Sequence, residues 1–176
     1  MKISTAFSLA SLRRPVTLLA LVLAFVPLSC ANGATAENKV GGKADFRLKT
    51  IDGGKLLGPE DFKGQVVVVD FWATWCLPCR FQAQMLEPVV RDLKGRGVQF
   101  LGASVGEEVE TVRAFLKSKP APYPTLVDPE DEISVRLNIQ ALPTLMVVDK
   151  KGRISYLKAG LTDGDTLRKL IQKAGS

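Results

Sequence analysis

The chain has 176 residues, 46% of them hydrophobic and 24% charged, with a formal charge of +6 and no histidine. That balance fits a globular domain and excludes a disordered or fibrous protein. The missing histidine excludes Ser-His-Asp and Cys-His catalysis, histidine metal sites and histidine-ligated haem.

Lys2, Arg13 and Arg14 precede a mostly apolar run from Val16 to Leu28, the length of a signal-peptide core and short for a membrane span. Ala34-Thr35-Ala36 offers an A-x-A cleavage site. Residues 1–36 therefore read as a signal peptide, 37–43 as a polar, glycine-rich linker and 44–176 as the folded domain of an exported, periplasmic or cell-envelope protein. Alternatively, Cys30, preceded by Leu28-Ser29, is a lipid-attachment residue that leaves the protein anchored to the membrane, although Pro27 fits such a signal poorly. Arg13-Arg14 is a weak twin-arginine signal. Removing the leader takes away three basic residues and no acidic one, leaving a charge of +3. The remaining lysines and arginines are scattered among acids with no basic cluster interleaved with aromatics, which argues against nucleic acid as a partner. Of three cysteines, cleavage leaves two, in a compartment where disulfides persist.

From Ala44 to Leu57 the residues alternate loosely around Asp52-Gly53, a hairpin signal with Phe46, Leu48 and Ile51 available to pack. Asp61 to Gly64 is a turn or helical corner feeding a strand over 66–71. Its Val66-Val67-Val68-Val69 run is β-branched and apolar on both faces, as in a central strand covered on both sides. The following helix runs to about Leu93, with Phe81, Met85, Leu86, Val89, Val90 and Leu93 on one buried face, and Pro88 inside it is predicted to kink it. Gly95 and Gly97 end that helix, and Val98 to Val105 reads as the next strand. Glu107 to Lys117 is an amphipathic helix with Val109, Val112, Phe115 and Leu116 on one side. Pro120, Pro122 and Pro124 enforce an extended connection into Thr125-Leu126-Val127.

Asp128-Pro129-Glu130-Asp131 reads as a helix start, with an N-cap, proline at the first helical position and acids in the first turn. As a calcium loop it lacks the ligand spacing and the glycine. Leu145 to Asp149 and Arg153 to Leu157 are strands joined by the hairpin turn Asp149-Lys150-Lys151-Gly152. Asp163 to Lys173 closes the chain as a helix, with Leu167, Leu170 and Ile171 facing inward. The order is a β-hairpin, then β-α-β-α-β-α, then β-β-α, an α/β layered domain with a mixed sheet flanked by helices.

The chemistry is concentrated in Trp75-Cys76-Leu77-Pro78-Cys79-Arg80. A Cys-x-x-Cys at a strand-to-helix junction puts the first thiol at a helix N-terminus, where free N–H groups and the macrodipole favour a thiolate. Cys76 is then the nucleophile, exposed at the helix start. Cys79, one turn further in, forms the disulfide with it and resolves a mixed disulfide. A zinc site would need a second pair of ligands, and haem attachment would need histidine where Arg80 stands. The alternative function is a metallochaperone holding Cu(I) between the two thiols, disfavoured by the lack of Met beside the motif. Asp70, six residues before Cys76, is the candidate proton acceptor for Cys79, against the plainer reading that it caps a turn. Trp72 reads as packing, and Trp75 as the rim around Cys76.

The stretches Val69-Asp70-Phe71-Trp72-Ala73-Thr74-Trp75-Cys76-Leu77-Pro78-Cys79-Arg80 and Ala141-Leu142-Pro143-Thr144-Leu145-Met146-Val147-Val148-Asp149 resemble those of thioredoxin-fold proteins, more closely the exported TlpA-like or ResA-like thiol-disulfide oxidoreductases. The resemblance covers about residues 44–173. It implies a thioredoxin fold with an N-terminal β-hairpin and an inserted strand and helix near 125–138. It also implies cis geometry at Pro143, a backbone at Leu142 that pairs with an incoming peptide strand, and an acid at Asp70 where thioredoxin has its buried one. Protein thiols and disulfides would be the substrates, met at Trp75, Pro78, Leu142 and Pro143. The protein would act as a monomeric reductant supplied by a membrane-bound thiol donor, with the Cys76–Cys79 disulfide as its redox group and no other cofactor or metal. Leu77 departs from the Glu that many such proteins concerned with cytochrome c maturation carry between their cysteines, and Gln82 and Gln84 stand where those tend to have Glu and Pro. A peroxiredoxin, built on a similar sheet, would have Thr where Ala73 stands.

Overall fold

The computed structural model describes residues 40–176. The expected leader, its cleavage site, Cys30 and residues 37–39 of the linker lie outside the described residues. Residues 41–43 run alongside the domain: Gly41 N–H donates to Ile154 O at 2.7 Å, and Ile154 N–H to Gly42 O at 2.8 Å.

Seven strands form one sheet: β1 (Leu48–Thr50), β2 (Leu56–Leu57), β3 (Val66–Trp72), β4 (Val98–Val105), β5 (Thr125–Asp128), β6 (Thr144–Val148) and β7 (Ile154–Ala159). Their order is β2-β1-β5-β4-β3-β6-β7. β3, β4 and β5 are parallel, which requires the crossover helices α1 (Leu77–Leu93) and α2 (Val109–Ser118) between them. β6 runs antiparallel to β3, β7 to β6, and β1 to both β5 and β2. Helices α3 (Glu132–Arg136) and α4 (Gly164–Gly175) complete the order. Both expected hairpins are present, β1–β2 around Gly53 and β6–β7 around Gly152, each glycine in the left-handed region at φ 74° and 79°.

Side chains of a strand alternate between faces, and β3 buries both. Val67, Val69 and Phe71 pack on one side with Phe46, Leu101, Leu126, Ile133, Leu137 and Met146. Val66 and Val68 pack on the other with Leu86, Val89, Leu145, Val147, Leu167 and Ile171. The same alternation puts Asp70 and Trp72 on that second side, the side of α1. Every residue of β3 is buried.

The structure differs here from two of the sequence expectations. α1 buries Cys79, Gln82, Leu86, Val89 and Val90, while Phe81 is 51% exposed. Residues 81 and 82 are one helical step of about 100° apart, and the face that starts from Cys79 takes the glutamine inward. Pro88 lies inside the helix, which continues to Leu93. Finally, Asp128 does not begin a helix at Pro129. It ends β5, a turn follows in which Asp131 N–H bonds back to Asp128 O, and α3 starts at Glu132. The buried Asp128 carboxylate nevertheless reaches α3, accepting from Ile133 N–H at 3.2 Å, Ser134 N–H at 2.8 Å and Ser134 Oγ at 2.6 Å. It serves the orphan donors of the helix from outside it.

Removing that acceptor strands buried donors, which costs about 1–3 kcal/mol. Asp128→Ala should therefore lower the urea midpoint by an amount corresponding to about 2 kcal/mol. An unchanged midpoint would show that α3 holds its first turn without the aspartate.

Candidate active site

β3 ends at Trp72, and three residues carry the chain to Cys76, whose N–H closes a turn on Ala73 O at 3.1 Å. Cys76 is the N-cap of α1 with extended backbone, and Pro78 lies in the first turn. A proline there has no N–H to strand at the helix start. Cys79 N–H points back at Cys76 Sγ, 3.2 Å away, so the first sulfur receives one of the free donors of the helix terminus. Cys76 and Cys79 are joined in a disulfide.

Both cysteines are only 3% exposed. Cys76 was expected to stand exposed, but in the disulfide form the two are equally covered. They pack with Trp72, Ala73, Val112 and Val127, and Leu142 lies against the same cluster. Exposure falls instead on the apolar side chains around them, with Trp75 at 71%, Leu77 at 52% and Phe81 at 51%. Trp72 is buried, as expected of a packing residue.

Two bracing contacts escaped the sequence reading. Glu107, read as the first residue of a helix, lies ahead of α2, and its buried carboxylate holds the loop before the dithiol. Thr74 N–H donates to Glu107 Oε2 at 2.7 Å, and Thr74 Oγ1 donates to Oε1. Gln82, completely buried, pairs both halves of its amide with the backbone of Thr162: Nε2 donates to Thr162 O at 2.8 Å, and Thr162 N–H to Oε1 at 2.7 Å. Two residues earlier in that connection, Gly160 N–H donates to Pro143 O at 2.8 Å. The Leu142–Pro143 peptide bond is cis. The dithiol helix and the cis-proline loop are thus tied to the same β7–α4 connection.

Asp70 is 1% exposed, on an interior strand between β4 and β6. Its Oδ2 accepts from Tyr123 Oη at 2.5 Å, and its Oδ1 has no hydrogen-bond partner. Burial pushes the carboxyl up to about 7, with the tyrosine hydroxyl pulling the other way. Burial and the neighbouring acid hold the Tyr123 phenol well above its usual range. Tyr123 also lines a groove of about 420 Å³ between α1 and the segment after α2, together with Trp72, Cys79, Arg80, Phe81 and Phe115. No sequence signal joins Tyr123 to Asp70, because 53 positions separate them. Among the described residues no group of three or more Cys, Asp or Glu side chains converges as a metal site, and no helix is long and apolar enough to cross a membrane.

In the oxidised protein neither cysteine titrates, so no thiol enters the linkage at Asp70. Below its ordinary 3.8 both the native and unfolded states hold the proton; between 3.8 and about 7 only the native state does. Stability should therefore fall as pH rises through that window and level off above it. The whole shift of about three units corresponds to about 4 kcal/mol as an upper bound. Asp70→Asn should raise the urea midpoint of the oxidised protein at pH 8, with the gain shrinking towards pH 4. Midpoints that run parallel at every pH would contradict the burial account.

The AhpC/TSA family model matches residues 40–157. The chain is 28% identical to the thiol-disulfide oxidoreductase ResA of Bacillus subtilis (strain 168) over 142 residues, 76% of this chain and 79% of that one. It is 34% identical to the thioredoxin-like protein YneN of the same organism over 120 residues, 66% and 68% of the two chains. The crystal structure of a putative thiol:disulfide interchange protein DsbE from Chlorobium tepidum superposes with a TM-score of 0.70 at 26% identity, covering 78% of this chain and 99% of that one. With a mixed seven-stranded sheet and a Cys-x-x-Cys disulfide at the start of its first helix, the chain belongs to the AhpC/TSA family, as a thioredoxin-fold thiol-disulfide oxidoreductase.

Proposed function

We propose that the protein is exported to the cell envelope, with residues 1–36 as its signal peptide, and there acts mainly as a reductant of protein disulfides, as a monomer fed by a membrane-bound thiol donor. The observation that carries the reading is the Cys76–Cys79 disulfide at the N-cap of α1, with Cys79 N–H aimed at Cys76 Sγ. A helix start that donates to this sulfur favours its thiolate. No cofactor beyond the dithiol enters the reaction.

In the reduced protein, Cys76 thiolate attacks one sulfur of a substrate disulfide. A mixed disulfide forms and the other substrate sulfur leaves as a thiolate. Asp70 accepts the Cys79 proton, Cys79 sulfur attacks Cys76 Sγ, and the second substrate sulfur departs. The two electrons given to the substrate leave the protein as the disulfide, which the donor reduces again. A carboxyl that titrates at about 7 is matched to taking and returning a proton near neutrality. Trp75 and Pro78, both exposed, together with Leu142 and Pro143 would form the surface against which the substrate lies, its strand pairing with the Leu142 backbone.

Cys79→Ser should accumulate mixed disulfides with substrate proteins, recoverable by non-reducing electrophoresis from cells expressing it, and Cys76→Ser should not. Trapping by Cys76→Ser instead would reverse the two assignments. Acid trapping and alkylation should find the wild-type pair largely reduced in cells with intact electron supply. A fully oxidised pair would sink the reductant role and leave the exchange chemistry standing.

A further inference from the structure

Tyr123 sits between Pro122 and Pro124 on the way into β5, in a stretch whose prolines suggest only an extended connection. Its place in the fold depends on a glycine. Across from Asp70 in the parallel β3–β4 register stands Gly102. A Cβ at that position would lie 2.7 Å from Tyr123 Cε2 and 3.0 Å from Trp72 Nε1. Both rings are more than nine-tenths buried and have little room to yield. The bare backbone of β4 is therefore the seat on which the tyrosine ring lies, and from that seat its hydroxyl reaches Asp70 Oδ2.

The consequence for Asp70 is an asymmetry between its two oxygens. Oδ2 is occupied by the tyrosine, while Oδ1 is buried without a partner. Tyr123 also lines the groove that Cys79 lines, so it stands against the acid on one side and shares a wall with the resolving cysteine on the other. The sheet neighbours of Asp70, Gly102 on β4 and Leu145 on β6, carry no charge. The charged side chains of the groove are Arg80 and Glu87 from α1 and Lys119 after α2. None of them is among the influences on the Asp70 carboxyl, which are its burial and the tyrosine hydroxyl.

We infer that Tyr123 is a positioning residue for the dithiol: by holding Oδ2 of Asp70 it presents Oδ1, the unpartnered oxygen, as the site that takes the Cys79 proton. This rests on the proposed role of Asp70 as acceptor. The step balances within the site. The Cys79 S–H bond breaks and its proton passes to Oδ1, turning the carboxylate into a carboxylic acid. The sulfur so freed forms the bond to Cys76 Sγ, the mixed disulfide breaks, and the departing substrate thiolate carries away the electron pair. The phenol keeps its own proton throughout. A donor on a carboxylate favours the charged form, so the same contact also keeps part of the Asp70 population ready to accept at neutral pH.

The test is the pH dependence of resolution in the full-length protein, read as the rate at which a mixed disulfide with a cysteine peptide collapses, and as insulin reduction under turnover. Tyr123→Phe removes one oxygen and keeps the ring. It should move the midpoint of the pH profile up by about one unit, and slow resolution at pH 7 by about three- to tenfold. Gly102→Ala keeps the hydroxyl but crowds the ring off its seat, and it should shift the profile in the same direction. Combining Tyr123→Phe with Asp70→Asn should add nothing to Asp70→Asn alone, the pattern of two groups acting through one another. A merely structural tyrosine would lower the urea midpoint of Tyr123→Phe and leave the pH profile where it is, and that result would overturn the inference. Should Asp70→Asn itself leave the profile unchanged, the acceptor role falls and this inference falls with it. Should Asp70→Asn move the profile while Tyr123→Phe does not, only the role of Tyr123 is lost.

Discussion

Strand β3 is covered by side chains on both faces, and most of what is distinctive in this protein follows from placing a carboxyl in such a strand. Val66 to Val69 suit it to the interior of the sheet, with α1 and α4 residues packed on one side and α3 with the N-terminal segment on the other. An isolated carboxylate in those surroundings is costly, and the group responds by holding its proton. The phenol of Tyr123 offsets part of that penalty without a counter-charge. The result is an acid kept near its midpoint at neutral pH, on the face of the sheet that α1 covers.

The strand also sets where the dithiol stands. β3 runs straight into the turn that ends at Cys76, so the first sulfur meets the helix start with one intervening loop, and that loop is braced from a distance. Glu107, beyond the end of β4, holds Thr74, and Gln82 inside α1 holds Thr162 beyond β7. Both are buried polar groups whose hydrogen bonds are met in full or in large part, which favours one arrangement of the loop over its alternatives. The Pro143 carbonyl is held by the same β7–α4 connection. Three segments far apart in the chain are thereby fixed around the two sulfurs, while the side chains that stay exposed there, Trp75, Leu77 and Phe81, are apolar.

The oxidised state adds a constraint of its own. With both cysteines packed among Trp72, Val112 and Val127, the disulfide is shielded, and the exposed surface around it is furnished by neighbours. In the reduced state the N-cap favours a thiolate at Cys76, and the proposed route of the Cys79 proton runs through Asp70.

What the amino-acid sequence determined was whatever depends on neighbours a few positions away. The β-branched run of β3, the three-and-four spacing in α1, α2 and α4, the glycine turns of both hairpins and the thiol at a strand-to-helix junction are all set by local sterics and local hydrogen bonding. Asp70 could be singled out because its distance from Cys76 along the chain is short. The phase of α1 was harder to read, since Phe81 fits the apolar spacing and Gln82 does not, yet Gln82 is the one turned inward, where its amide is hydrogen-bonded to the Thr162 backbone. Asp128 likewise carries the right chemistry for a cap, but where α3 begins depends on how β5 ends. Tyr123 with Asp70, Glu107 with Thr74 and Gln82 with Thr162 are 53, 33 and 80 positions apart. Tyr123 meets Asp70 because the strand order sets β4 between β3 and β5 and leaves a glycine at the crossing point, Glu107 meets Thr74 because β3 and β4 are neighbours that end side by side, and Gln82 meets Thr162 where the β7–α4 connection passes α1. No local pattern encodes such a meeting: whether two distant polar groups satisfy each other is decided when the sheet assembles and water is excluded from between them.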